Sequence, residues 1–293
     1  MTLATESAHS PDSPDSADSA ESSISGTKTT RQRDRQRSIA EYVLREGSVR
    51  IEELGAAFGI SLMTIHRDLD ELESKGLLRK SRGSATAMSS SVVEASDVFR
   101  RDQQSEEKDA LARAVLPFIA PGASIFLDDS TTTARLGSML GVVAPLTVIT
   151  NYLPLLQELP ATREISVLGL GGRYVNWSSS YLGSITTTAI KAIAADLLIM
   201  STSAVVNDTC FHHAEETVDV KRAMFESSAK RILLIDHTKF ERRALHALVQ
   251  IDEFDHVIVD DRTDSAHIER LRARGIDVIV APLSSSDTTG NRH

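Results

Sequence analysis

Seven short apolar runs rich in β-branched residues recur about 20 to 35 residues apart from residue 124 onward, and nothing else in the sequence restricts the fold as tightly. They read SIFLDD (124–129), LTVITN (146–151), ISVLGL (165–170), DLLIMS (196–201), RILLID (231–236), HVIVDD (256–261) and DVIVAP (277–282). Between most of them lie stretches long enough for a helix, at 131–140, 184–194, 215–229 and 265–274. Strands alternating with helices form βαβ units, because parallel neighbours need a long crossover. The expected product is an α/β domain built on a mainly parallel sheet.

The first hundred residues follow a different pattern. Residues 1–30 are dominated by Ser, Asp, Ala, Thr and Pro, with too few large apolar side chains to offset the entropy of ordering, and are expected to be a disordered tail. Ile39, Tyr42 and Val43 then fall on one face of a helix ending at Gly47, and Ile51, Leu54 and Phe58 on one face of a second closed by Gly59. Ser61 is placed to cap a third helix, in which Leu62, Ile65, Leu69 and Leu72 form an inward stripe up to Gly76. The run LLRKSRGSATA suits a short basic hairpin around Gly83. The boundaries that follow are a helical domain at 31–86, a linker of small residues at 87–96, the α/β domain at 97–283 and a frayed end at 284–293.

A net charge of −9 would disfavour nucleic acid if it were spread evenly, since phosphates repel an acidic surface. It is not. Residues 31–82 hold eleven Lys and Arg against nine Asp and Glu, whereas the tail and the α/β body are both net acidic. Helix, tight turn, capped helix and basic hairpin together make a winged helix-turn-helix. With the apolar stripe turned inward, Met63, His66, Arg67 and Asp70 occupy the opposite face of the third helix, the face that would meet the major groove. Ser61, Met63, Thr64, His66 and Arg67 are the candidates for base contacts. Arg79, Lys80 and Arg82 in the wing, with Arg31, Arg33, Arg35 and Arg37 ahead of the first helix, are candidates for phosphate.

The stretch from Ser38 to Ala85 resembles the N-terminal winged helix of DeoR-type transcriptional regulators, in which a Ser-x-x-Thr-Ile-x-Arg-Asp-Leu run forms the recognition helix. Ser61, Thr64, Ile65, Arg67, Asp68 and Leu69 stand at that spacing, with Leu72 and Gly76 after them. His66 departs from the Arg often found there, and imidazole reads base edges differently from guanidinium. The resemblance runs through residues 36–283. It implies a C-terminal sensor domain of sugar-phosphate-isomerase-like fold, a phosphorylated sugar or related metabolite as effector, double-stranded operator DNA as partner, and repression of carbohydrate-metabolism genes. It also implies a homo-oligomer, a dimer or tetramer.

Ligands of open parallel sheets bind at the carboxyl ends of the strands, so the residues that follow each apolar run are the candidate effector site. In DDSTTTARL (128–136), Ser130, Thr131 and Thr132 could hold a phosphate where a strand meets a helix, and Asp128 or Asp129 could accept from sugar hydroxyls. Asn151 ends the second run, and Gly171, Gly172 and Arg173 end the third, offering close backbone approach and a cation. The resemblance marks Lys221, Asp236 and Lys239 as further sensor-site residues. His212 and His213 have no acidic or Cys partner at a recognised zinc spacing, and neither a metal nor a cofactor is expected.

A lysine, a carboxylate and a phosphate loop are also the parts of an aldose–ketose isomerase, so an enzyme with an accessory helical domain is the alternative. A scaffold using its winged helix for protein contacts is a third reading. The N-terminus shows no basic-then-apolar leader, no run reaches the roughly 18 apolar residues of a membrane span, and the single Cys210 allows no internal disulfide. A cytoplasmic, membrane-independent protein is expected.

Overall fold

The computed structural model describes residues 18–87, 97–101 and 103–283. The first unit runs α1 (Asp18–Glu46), β1 (Ser48–Arg50), α2 (Ile51–Phe58), α3 (Leu62–Ser74), β2 (Leu78–Ser81) and β3 (Ser84–Ala87). The strands form one antiparallel sheet in the order β1-β3-β2. Gly59, in the left-handed region at φ 63, turns the chain sharply between α2 and α3. Ile39, Leu54, Ile65, Leu69 and Leu72 are completely buried together, as the helical spacing requires.

Three expectations need correction here. Residues 18–30 are the N-terminal part of α1 rather than a structureless tail, since extending an existing helix avoids the cost of nucleating one; residues 1–17 lie outside the described residues. Arg31 to Arg37 therefore sit within the first helix, not ahead of it. Leu62 is 46% exposed, because it stands in the first turn of α3 at the rim of a small core. Its covered part closes over Gly55, where a Cβ would come within 3.0 Å of its Cδ2.

The larger unit begins with α4 (Asp97–Arg100) and α5 (Ser105–Val115), followed by a 3-10 turn at Leu116–Phe118. α4 and α5 are separate helices, with Gln104 left-handed at φ 48 before α5. Then come β4 (Ser124–Leu127), β5 (Leu146–Thr150), α6 (Leu153–Glu158), β6 (Ile165–Gly169), β7 (Arg173–Val175), β8 (Ser180–Leu182) and α7 (Ser184–Lys191). The chain continues with β9 (Ala195–Ser201), β10 (Ala204–Val206), β11 (Thr209–His212), α8 (Glu215–Glu226) and β12 (Ser228–Ile235). It closes with β13 (His246–Gln250), β14 (His256–Asp260), α9 (Ser265–Ala273) and β15 (Val278–Ala281). The linker expected at 87–96 and the end at 284–293 lie outside the described residues, apart from Ala87 in β3.

All seven apolar runs pair in one sheet, ordered β15-β14-β12-β9-β4-β5-β6 and parallel throughout. Alternate side chains go to opposite faces, so the runs feed two apolar layers. Ile125, Leu127, Ile199 and Leu234 pack under α5, while Phe126, Leu198, Met200 and Leu233 pack with Met224 of α8. The chain enters at β4, builds outward through β5 and β6, then returns to the other side of β4 with β9. The strand order reverses between β4 and β9, and crevices of this kind open at the carboxyl ends of such strands. Among the described residues no helix is long and apolar enough to cross a membrane.

The segment expected as a helix at 131–140 is a 3-10 helix, Thr133–Val143. Two additions interrupt the βαβ pattern: a β7–β8 hairpin and a small antiparallel sheet, β10-β11-β13. Both are made of strands of three to five residues, too short to show a period.

Candidate functional site

The first site is the outer face of α3 with its wing. Ser61 caps α3 by accepting from the Thr64 N–H at 3.3 Å, which aligns the first turn. Met63 is 83% exposed, His66 and Arg67 are exposed beside it, and Thr64 is half-buried. Arg79 and Arg82 are exposed on the β2–β3 hairpin. The structure therefore brings these residues to one open surface. Lys80 is the exception: its ammonium is bonded back to Asp70 of α3 and its N–H to Glu73 at 2.8 Å, so it fastens the wing to the helix. Arg35 is similarly engaged, giving Asp68 of α3 two hydrogen bonds of 2.6 and 3.1 Å, with Gln36 adding a third at 3.1 Å. Asp68 is buried, and its role is to pin α3 against α1.

The second site lies where β4, β5, β9 and β12 end. The residues after β4 fold into a tight turn. Asp128 accepts from the Ser130 N–H at 3.1 Å, the Thr133 hydroxyl at 2.7 Å and the Ser201 N–H at 2.9 Å, and also from the Lys221 ammonium. Burial opposes its charge, but Lys221 and these donors prevail and hold its carboxyl below the usual range. Asp128 is thereby committed within the protein, and accepting from a sugar hydroxyl, as expected of it, falls to Asp129. Asp129 keeps Lys221 at 3.4 Å and accepts from the Ser180 hydroxyl at 3.0 Å. Ser130 spends its hydroxyl capping Thr133 at 3.1 Å. Thr131 and Thr132 are buried and their hydroxyls have no partner among the described residues.

Asn151 is fully buried after β5 and donates to the Tyr181 carbonyl at 3.0 Å, while its Oδ1 has no donor among the described residues. After β12, Asp236 caps a 3-10 turn through Thr238, and its buried Oδ2 accepts no hydrogen bond among the described residues and lies 3.5 Å from the Lys239 ammonium. Burial opposes the charge of Asp236, yet Lys239 and Thr238 hold its pKa down. Burial pushes the Lys239 ammonium down to about 8, with Arg242 and Arg100 adding repulsion that Asp236 only partly offsets.

Gly171, Gly172 and Arg173 do not join this cluster. Gly172, at φ +153, lies so close to α7 that a Cβ would fall 2.1 Å from Thr186 Oγ1, and Thr186 donates to the Gly171 carbonyl at 2.8 Å. The glycine pair is a strand-to-helix packing contact. Arg173 is exposed and paired with Glu216 at the start of α8.

Two cationic groups went unread in the sequence. Lys108 of α5 is 2% exposed, and its ammonium donates to the Arg100 carbonyl. Burial first, then the nearby Lys239 and Arg100 charges, push it down to about 7. The signal was available: Lys108, Leu111, Ala112 and Val115 share one helical face, and a lysine in an otherwise buried stripe needs a reason. Arg100 sits within electrostatic reach of Lys108, Lys239 and His212. His212 is buried with its Nδ1 accepting from the Ala214 N–H at 3.2 Å, and burial together with Lys221 keeps it neutral, well below its ordinary pKa. Among the described residues no group of three His, Cys, Asp or Glu is placed to hold a metal.

The arrangement is a winged helix joined to a buried cluster of lysines, carboxylates and hydroxyls at the mouth of a parallel sheet. Comparison with known proteins matches both parts. The DeoR-like helix-turn-helix domain matches residues 35–91, and the DeoR C terminal sensor domain matches residues 103–261. The chain is similar to the glycerol-3-phosphate regulon repressor of Escherichia coli (strain K12), 31% identical over 231 residues that cover 78% of this chain and 91% of the relative. It is similar to the transcriptional repressor AccR of Agrobacterium fabrum, 30% identical with 78% and 90% covered. A lactose phosphotransferase system repressor of Lactococcus lactis is 28% identical, with 76% and 89% covered. With both halves matched and a relative of this similarity aligned over nearly its whole length, the chain belongs to the DeoR family of helix-turn-helix transcriptional regulators.

Proposed function

We propose that this protein is a repressor of carbohydrate-metabolism genes that binds operator DNA through α3 and its wing, and that a small phosphorylated sugar bound at the mouth of the parallel sheet modulates that binding. One observation carries the reading: three lysines, Lys108, Lys221 and Lys239, are buried at this mouth, and burial lowers the pKa of Lys108 and Lys239 despite the nearby Asp236. A buried cation without sufficient counter-charge is costly, and a dianionic ligand supplies what is missing. Lys108 and Lys239 with the Thr131 and Thr132 hydroxyls suit a phosphoryl group, and Asp129 and Asn151 suit hydroxyls of a sugar. The names of two relatives, which refer to glycerol 3-phosphate and to a lactose phosphotransferase system, agree with that class. An isomerase is disfavoured by the match of both halves to a regulator family and by relatives named as repressors.

The test is to enrich an operator duplex from random DNA with the full-length protein, then titrate it in the presence of glycerol 3-phosphate, glucose 6-phosphate or galactose 6-phosphate. At least one ester should shift operator affinity by roughly 5 to 150-fold, and Lys239→Ala should remove the shift. Binding of no phosphate ester by calorimetry would remove the effector half of the proposal.

A further inference from the structure

The turn end of the β7–β8 hairpin, residues 176–181, touches both the effector loops and the recognition helix. In the Val175–Ser180 pair that closes the turn, the Ser180 hydroxyl donates to Asp129 at 3.0 Å, and Asp129 in turn faces Lys221. The hairpin is also tied to the loop after β5: the Tyr181 N–H donates to the Asn151 carbonyl at 2.9 Å, and the Leu153 N–H to the Ser179 carbonyl at 2.9 Å. Ser178 and Ser180 share a hydroxyl hydrogen bond of 2.7 Å inside the hairpin, and both are buried. At its tip, the Asn176 side-chain amide donates to the Ser74 carbonyl at 2.9 Å, across the boundary between the two units. Ser74 is the last residue of α3, whose terminal carbonyls have no partner within the helix. Trp177 packs beside Gly76, where a Cβ would lie 3.9 Å from its own. The Trp177 carbonyl accepts from the Asp97 N–H at 2.8 Å, and the Asp97 carboxylate holds Tyr152 and Arg101. From Asn176 to Tyr181, six residues therefore contact the recognition helix, the segment that enters the sensor unit, and both effector loops.

We propose that this hairpin is the element through which the effector loops set the position of the recognition helix, and that Asn176 is the positioning residue at its tip. The inference rests on the ligand-responsive reading above and names its route. A ligand that engages Asp129 competes with the Ser180 hydroxyl for the same carboxylate, and the short turn 176–179 between Val175 and Ser180 carries that change to Asn176. There the only polar link to α3 from the tip, among the described residues, is the Asn176 amide.

The experiment is a double-mutant cycle on the full-length chain, using the enriched operator duplex and no metabolite. S180A, which breaks the link to Asp129, should change operator affinity by about 3- to 10-fold, the scale of one hydrogen bond. In an N176A background the same change should have no effect, because the tip no longer engages Ser74. N176D, which keeps the shape but loses the donor, should behave as N176A does. Trp177 is the single tryptophan, so its emission gives a second readout: S180A should shift it in the free protein. A purely structural role would lower the melting temperature without this non-additivity. Should S180A lose its cooperative melt, S178A takes its place in the cycle. Equal effects of S180A in both backgrounds, or no effect on affinity and emission alike, would overturn the proposal. Since the cycle contains no metabolite, its failure removes the hairpin route and leaves effector binding standing. Failure of every phosphate ester to bind would remove the effector reading and leave the cycle interpretable.

Discussion

Lys108 and Lys239 show how burial depresses an ordinary ammonium. Lys108 is faced by Lys239, Arg100 and Arg135 with Asp236 opposing them, and Lys239 by Arg242 and Arg100 with Asp236 again opposing. Both are depressed bases, so between about 7 and the free-lysine value the unfolded chain binds more protons than the folded one, and the stability of the ligand-free protein rises with pH across that window. Ligand binding runs the other way. A phosphate monoester is largely dianionic by pH 7, and each lysine must be protonated to receive it. Affinity for a sugar phosphate should therefore fall from pH 7 to pH 9, approaching about tenfold per unit for each lysine. Calorimetry across that range checks it, and a flat profile would show that neither ammonium meets the ligand. Lys108→Met, which keeps the apolar stem, should abolish the pH dependence contributed at the lower pH.

At the scale of the element, α3 divides its work between its two faces. Ile65, Asp68, Leu69 and Leu72 are buried and hold the helix, while Met63, His66 and Arg67 are presented outward. Arg67→Ala should remove discrimination between operator and random DNA, whereas Arg79→Ala in the wing should weaken all sequences alike and lower the salt slope by roughly one. Gel-shift titration at two salt concentrations separates the two outcomes. Leu69→Ala should cost about 2–5 kcal/mol in urea unfolding of the winged helix, as expected for a fully buried leucine. Ser61→Ala should cost about 1 kcal/mol by removing the cap. Deleting residues 1–30 leaves Gln32, Arg35, Gln36 and Ile39 in place, with their bonds to Asp68 and Glu71 or their place in the core, so the melting temperature should change little.

For the whole molecule, the effector loops and the recognition helix belong to different units, so any influence of one on the other is a coupling between arrangements of the two. Thermodynamic linkage then requires operator DNA to change sugar-phosphate affinity by the same factor that the sugar phosphate changes operator affinity. Calorimetry of the ester with and without saturating operator should give that equality. A homo-oligomer is expected because paired winged helices read half-sites about one helical turn apart. Light scattering of the protein with a two-half-site duplex should show at least two chains per duplex, and one chain per duplex at saturation would contradict it.

Local order in the chain was enough to determine the seven parallel strands, the capped recognition helix and its basic wing. Apolar period, capping residues and left-handed glycines act over a few residues, and each is written in consecutive letters. The same local signals located Asp128 and Asn151, because the residue after a strand sits at the sheet mouth whatever the rest of the chain does, whereas Asp236 was marked by the family resemblance. What they could not determine was who meets whom across the sheet. Asp128 is separated by 93 residues from Lys221, which engages it, and Ser180 by 51 from Asp129, so the first is a satisfied ion pair and the second a link only once β4, β8 and α8 have packed. Lys80 and Arg35, read as phosphate contacts from their charge, are occupied by Asp70 and Asp68 for the same reason. Arg173 left the site because Glu216 draws it to the surface, and Lys108 entered it because α5 packs on the face of the sheet. A side chain's type is local, but its partner, its burial and therefore its charge state arise from the tertiary fold, since desolvation and Coulomb energy depend on distances that only the folded chain sets.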